Sequence, residues 1–133
     1  MSMRVLIADP DWRFANQATS YMEAHAHLVV HHTSDSEAIA AARSWSPDVV
    51  IVSEELTENG LLEDLDAMID RPAILLIGWM DRCNKVWKAW QKGGDELLMK
   101  PVFRAEELHA AVMAAMRNST AGHRYRRATA ASA

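Results

Sequence analysis

The sequence predicts an α/β fold, a doubly wound five-stranded parallel sheet with five helices. Two features carry this. Short apolar runs alternate with segments whose apolar residues recur at helical spacing, and such alternation builds a parallel sheet because each right-handed crossover drops its helix onto one face. Several runs also place Val, Ile and Leu on consecutive positions, the pattern of strands buried on both faces.

The first run is Arg4-Val5-Leu6-Ile7-Ala8. A helix is expected over 11–24, where Phe14, Ala18 and Met22 fall at i, i+4 and i+8 and form one apolar stripe. The second run, His27-Leu28-Val29-Val30-His31, has polar flanks that suit an edge strand. The helix over 35–45 opens at Ser34-Asp35-Ser36-Glu37, whose hydroxyl and early acids satisfy free amides of a first turn. Asp48-Val49-Val50-Ile51-Val52 and Ala73-Ile74-Leu75-Leu76-Ile77 read as central strands, separated by a helix over 60–69. A fourth helix over 82–92 ends at Gly93-Gly94, since glycine turns out of a helix through positive φ without a Cβ clash. The weaker run Glu96-Leu97-Leu98-Met99 and Pro101 precede a helix over 104–117, with Leu108, Val112 and Met116 on one stripe.

At 133 residues, half of them hydrophobic, the chain suits one domain with one core. No stretch approaches the roughly 20 apolar residues of a membrane helix, and no charged-then-apolar leader precedes the first run, so a soluble cytoplasmic protein is expected. The lone Cys83 agrees with a reducing compartment. The net charge of −4 is uneven: residues 118–133 hold three arginines and no acid, which leaves residues 1–117 at −7. An acidic body argues against a nucleic-acid surface, because phosphate contacts need clustered Lys and Arg. The expected organisation is a folded body over 1–117 and a basic, disordered tail over 118–133, too poor in apolar residues to fold alone. The Asn118-Ser119-Thr120 sequon reads as chance.

In an open parallel sheet, chemistry gathers at the C-terminal ends of the strands. That rule singles out Asp9-Pro10-Asp11, Ser53-Glu54-Glu55, Gly78-Trp79-Met80 and Lys100-Pro101. Three segments, Arg4 to Asp9, Pro47 to Ser53 and Gly93 to Pro101, resemble in order and spacing the receiver domains of two-component response regulators, a resemblance running from about Met3 to about Arg117. It implies a flavodoxin-like sheet of order 2-1-3-4-5. It also implies a phosphoryl site: two adjacent acids after the first strand and an aspartate after the third hold Mg²⁺, and that aspartate attacks the phosphoryl donor. A Thr or Ser after the fourth strand and a Lys after the fifth grip the phosphoryl oxygens. The metal and the ammonium neutralise charge on the transferring group.

Carried over residue by residue, the pattern is incomplete. Asp9 matches the first acid, but Pro10 stands at the second and offers no ligand. Ser53 occupies the phospho-acceptor position, where a neutral hydroxyl without a neighbouring base is a poor nucleophile. Ile77 replaces the hydroxyl residue, and Leu97 replaces the aromatic that reports phosphorylation to the outer face. Lys100 and the following proline are retained. No catalytic residue or cofactor is therefore expected, and Mg²⁺ binding should be weak or absent.

Each residue also has a plainer role. Lys100 suits an ion pair with Asp9, because a charge near strand ends needs a partner to offset desolvation. Asp9, Asp11, Glu54 and Glu55 are either a remnant acidic pocket that holds a cation, with Glu55 as substitute ligand, or a solvated acidic rim. Ser53 suits a hydrogen bond to Lys100 or to backbone. His25, His27, His31 and His32 read as edge decoration before metal ligands. Trp87 and Trp90 are expected in the core, whereas Trp79 and Trp12 either cap the strand-end pocket or anchor a partner.

The function that follows is an atypical receiver in phosphorelay signalling, not an enzyme. It would bind a protein through its fourth helix, fifth strand and fifth helix, possible homodimerisation included, without phosphorylation. Two alternatives remain at this point: a phosphate- or nucleotide-type ligand sensor built on Lys100 and Trp79, and a conventional phospho-acceptor using Asp11 or Glu54.

Overall fold

The computed structural model describes the backbone of residues 2–132 and side chains through Ser119. The elements are β1 (Arg4–Ala8), α1 (Trp12–Ala24), β2 (Leu28–His32), α2 (Asp35–Trp45), β3 (Val49–Ser53), α3 (Leu61–Asp66), β4 (Ala73–Trp79), α4 (Cys83–Trp90), β5 (Glu96–Lys100) and α5 (Ala105–Ser132). Short 3₁₀ turns at Glu54–Leu56 and Met80–Arg82 follow β3 and β4. The five strands form one parallel sheet of order β2-β1-β3-β4-β5, which puts the His-flanked strand at an edge. The order reverses between β1 and β3, so a crevice opens where Asp9 and Ser53 leave their strands.

Alternation along the strands divides the core in two. Val5, Ile7, Val49, Ile51, Leu75 and Ile77 face α1 and α5, where Phe14, Ala18, Met22, Leu108 and Val112 meet them. Leu6, Val50, Val52, Ile74 and Leu76 face α2, α3 and α4, against Ala38, Ala42, Leu61, Leu65 and Val86. Val49 to Ser53 and Ala73 to Gly78 are buried without a break, as both-face burial requires. Ser34 caps α2, its Oγ accepting from the Glu37 amide. After α4 the backbone passes through Gly93 and Gly94 at φ 149° and 125°.

Several element ends differ by a few residues from the sequence reading, α3 and α4 being shorter than expected, and three differences bear on the structure further. β2 begins one residue late, so His27 lies before the strand, and its Nδ1 accepts the buried Met3 amide at 3.0 Å. Trp87, expected in the core, is 57% exposed. α4 has only eight residues and seats Val86 and Ala89 on the sheet, and Trp87 lies about 100° around the helix from Val86, facing solvent. Trp90 does pack inward, over Gly94 and Leu76. The folded body also passes the expected limit at residue 117. Asn118 Nδ2 donates to the Asp95 carbonyl, and Ser119 Oγ accepts from Arg71, whose guanidinium also bonds both oxygens of Asp95. Through residues 120–132 the backbone continues α5 instead of the disordered tail expected, and the side chains there lie outside those described.

The His27 contact fixes a pH dependence. Burial lowers the His27 pKa first, with His109 and His25 adding positive neighbours. Only the neutral ring can accept at Nδ1, so the folded chain resists a proton that the unfolded chain takes up below about 6.5. Stability contributed by this ring is complete above that value and declines as pH falls through it towards the depressed folded pKa. The urea midpoint should accordingly drop between about pH 7.5 and about pH 5.5, and His27→Gln should show a shallower drop over the same interval; an unchanged slope would remove His27 as its source.

Candidate functional site

The C-terminal ends of β1 and β5 bring Asp9 and Lys100 together although they lie far apart in sequence. Lys100 Nζ donates to Asp9 Oδ2 at 2.7 Å and to Asp11 Oδ2 at 3.1 Å. The Lys100 side chain is 1% exposed and that of Asp9 is fully buried. Two aromatic rings complete the enclosure: the ammonium lies 4.7 Å from the centre of Phe14 and 5.2 Å from that of Trp79.

Local structure aims each group. Asp11 caps α1, its Oδ1 accepting from the Arg13 and Phe14 amides, which leaves Oδ2 for the lysine. Asp9 Oδ1 accepts from the Asp11 amide at 2.9 Å, and its own backbone is tied to β2 through His32 and His31. Trp79 ends β4 directly opposite Lys100 in register, so the indole covers the lysine by strand geometry. The cis Lys100-Pro101 bond then turns the chain toward α5.

Burial sets the protonation pattern. It raises the Asp9 pKa, and the hydrogen bond and charge of Lys100 only partly oppose this. Burial also pushes Asp11 upward, but the Phe14 amide, Lys100 and the Arg13 amide together outweigh it and hold Asp11 below its ordinary value. Asp11 is thus the firmer counterion, since its carboxylate remains partly solvated.

The other singled-out residues do not join this cluster. Ser53 is buried, but its Oγ accepts from the Glu55 amide at 3.3 Å, capping the turn after β3 rather than meeting Lys100. Ile77, opposite Ser53 in register, is fully buried in the α1–α5 core. Leu97 packs on the opposite face, toward α4. The four acids do not form one pocket. Glu54 turns to the α4 side and pairs with Arg82, and Glu55 is exposed. Among the described residues no group of three His, Cys, Asp or Glu side chains is arranged to hold a metal ion. The separation has a physical reason: Asp9 leaves its strand on the α1–α5 side, whereas Glu54 follows Ser53 by one residue and so points to the other face. Trp12 is 63% exposed with its ring edge on His31, centroids 4.7 Å apart.

Three contributors escaped the sequence reading. Phe14 was legible as a core residue but not as a face for Lys100. Arg82 was not singled out, although its pair with Glu54 occupies the one acid that is buried on the α4 side. Gly78 read only as a loop residue, yet a Cβ there would lie 2.3 Å from Val86 Cγ2 and 3.0 Å from Glu54 Cγ.

Solved structures share this fold. NtrX from Brucella abortus in complex with ADP superposes with a TM-score of 0.80 at 17% identity, over 95% of this chain and 30% of that one. A putative response regulator from Chloroflexus aurantiacus gives 0.77 at 20% identity, over 88% of this chain and 99% of its own. The receiver domain of the Francisella response regulator 1452 gives 0.72 at 20% identity, over 88% and 98%. This chain therefore spans about 30% of the length of NtrX and nearly all of the other two. No family model matches the chain, and no curated protein matches it in sequence. The fold is that of response-regulator receiver domains, with the 2-1-3-4-5 sheet and five helices. No helix among the described residues is long and apolar enough to cross a membrane.

Two substitutions test the energetics. Asp9→Ala should cost about 3 kcal/mol or more, because it leaves a buried ammonium with one partly solvated partner. Adding Lys100→Met should recover much of that loss by removing the stranded charge, and a double-mutant cycle in urea reads the coupling; strictly additive losses would show that the pair is not coupled. Gly78→Ala should destabilise by about 1–3 kcal/mol through the Val86 clash, seen as a lower urea midpoint at unchanged slope.

Proposed function

We propose that this chain is an atypical receiver of two-component signalling that acts as a protein-binding regulatory module without being phosphorylated. The observation that carries this reading is the closed state of Lys100. The ammonium that would grip a phosphoryl group is hydrogen-bonded to Asp9 and Asp11 and flanked by Trp79 and Phe14. Beside it, the acceptor position is Ser53, whose hydroxyl is used by its own turn, and the hydroxyl position is the buried Ile77. Phosphoryl transfer depends on positioned charge on both sides of the transferring group. Here the positive charge is already neutralised and the nucleophile is neutral.

The same closure weighs against the alternatives. A cleft of about 360 Å³ lined by Asp11, Trp79 and Lys100 adjoins the cluster, but an anion entering it would meet an ammonium already bonded to two carboxylates. Asp11 as acceptor would give up the cap of α1, and Glu54 is bound to Arg82 on the other side of the sheet. What the scaffold offers instead is the surface of α4, β5 and α5, where Leu97, Leu98 and Met99 are only partly buried, and a protein partner or a second copy is the occupant this reading expects. A cytoplasmic setting accords with it.

Incubation with acetyl phosphate and Mg²⁺ should give no phosphorylated species by intact-protein mass spectrometry. Ser53→Asp alone should remain a poor acceptor, because Pro10 and Ile77 still withhold a metal ligand and an oxygen donor. Stoichiometric phosphorylation of the native chain, or ordinary receiver rates in Ser53→Asp, would overturn the reading.

A further inference from the structure

α4 differs in charge from the other described helices. α1, α2, α3 and α5 each carry at least one acid, whereas Cys83–Trp90 carries none. Lys85, Lys88 and Lys92 recur at i, i+3 and i+7, which puts them on one face, and all three are exposed. None of them forms an ion pair with a described residue. They line one wall of a cleft whose other wall holds Glu54, Thr57 and Glu58. Trp87 stands on the neighbouring flank of the solvent face, about 100° around the helix from Lys88, 57% exposed on a helix whose inward positions are already filled by Val86 and Ala89.

The surroundings sharpen the contrast. Residues 82–92 hold four basic side chains and no acid, so the remainder of the chain, with ten basic and eighteen acidic side chains, stands at −8. Three like charges on two helical turns repel one another, and an opposite charge brought from outside relieves that repulsion. An exposed Trp next to such a row is the side chain that most often anchors a protein interface, because it buries a large area at small entropic cost. We propose that the solvent face of α4 and the turn after it, Lys85, Lys88 and Lys92 with Trp87 on the neighbouring flank, docks an acidic segment of a partner protein. The lysines steer and orient the acids, and the indole enters an apolar pocket on the partner.

A protein fits better than a nucleic acid. α4 is about 12 Å long, enough for a short acidic segment, while a duplex laid across it would extend its phosphates over the remainder of the chain, which stands at −8. The proposal rests on the reading of the chain as a protein-binding module and names the chemistry of the partner.

The test uses the full chain and a fluorescein-labelled peptide of repeated Glu-Glu-Leu, read by fluorescence anisotropy. Saturable binding should weaken as salt is raised, and the triple variant Lys85→Glu, Lys88→Glu, Lys92→Glu should lose at least about tenfold in affinity. Trp87→Ala should lose roughly tenfold at low and high salt alike, since its contribution is apolar, and Ile69→Ala on the α3–β4 loop should bind as the native chain does. All of these side chains are exposed, so far-ultraviolet circular dichroism and urea midpoints should stay unchanged. Absence of peptide binding, equal binding by the charge-reversed variant, tighter binding of duplex DNA than of peptide, or self-association abolished by the same variants would each overturn the proposal. Acetyl phosphate with Mg²⁺ separates it from the reading beneath it. A phosphorylation-dependent gain in peptide affinity would sink the phosphorylation-independent reading and leave the α4 surface standing. No phosphorylation and no peptide binding would sink the surface alone.

Discussion

A lysine with almost no solvent exposure can keep its charge only if the structure around it supplies opposite charge and hydrogen bonds at fixed positions, and here that demand falls on Lys100. Meeting it draws together the end of β1, the first turn of α1, the end of β4 and the end of β5. Asp9 must leave its strand on the α1 side, Asp11 must cap the helix with one oxygen and reach the ammonium with the other, and the β4–β5 register must put Trp79 opposite the lysine. A slip of one residue in either pairing would move a partner to the other face of the sheet. The charge cluster therefore checks the topology as well as lining the crevice.

Its chemistry is that of a closed structural centre. The carboxylates accept hydrogen bonds from the lysine and from the amides of the Asp9–Phe14 turn, and no buried side-chain N or O atom among the described residues lacks a partner. A centre so satisfied resists rearrangement, because any incoming anion must repeat those interactions before it gains anything. On the opposite side of the sheet, Glu54 and Arg82 form a second, separate pair, and beside them Gly78 lets α4 approach β4, with room for a hydrogen and not for a methyl group.

Surface features follow from what the core leaves over. α2 and α4 approach the sheet through Ala38, Ala42 and Ala89, small residues that bring the backbone near and turn larger side chains outward. On α4 those outward side chains are a Trp and a row of lysines, which sets this helix apart from the acidic α3 region next to it.

How much of this the sequence determined depends on the range of the physics involved. Strand and helix identities were legible because period and capping act over a few residues: Val49 to Ser53 and the Ser34 cap lie where the pattern puts them. The departures at Pro10, Ser53 and Ile77 were also legible, since an absent side chain needs no coordinates. Neighbours in the sequence misled at two points. Asp9, Asp11, Glu54 and Glu55 look like one acidic pocket along the strand-end loops, yet successive residues of a strand serve opposite faces, and the sheet sends Glu54 away from Asp9. Trp87 and Trp90 look like one stripe at helical spacing, but the length of α4 and the seats taken by Val86 and Ala89 leave space beneath the helix for one indole. Local pattern thus determined the elements and the side chains standing at the strand ends, whereas partner choice for Lys100, the division of the acids and the exposure of Trp87 were decided by tertiary packing, because each depends on which distant segments share a face.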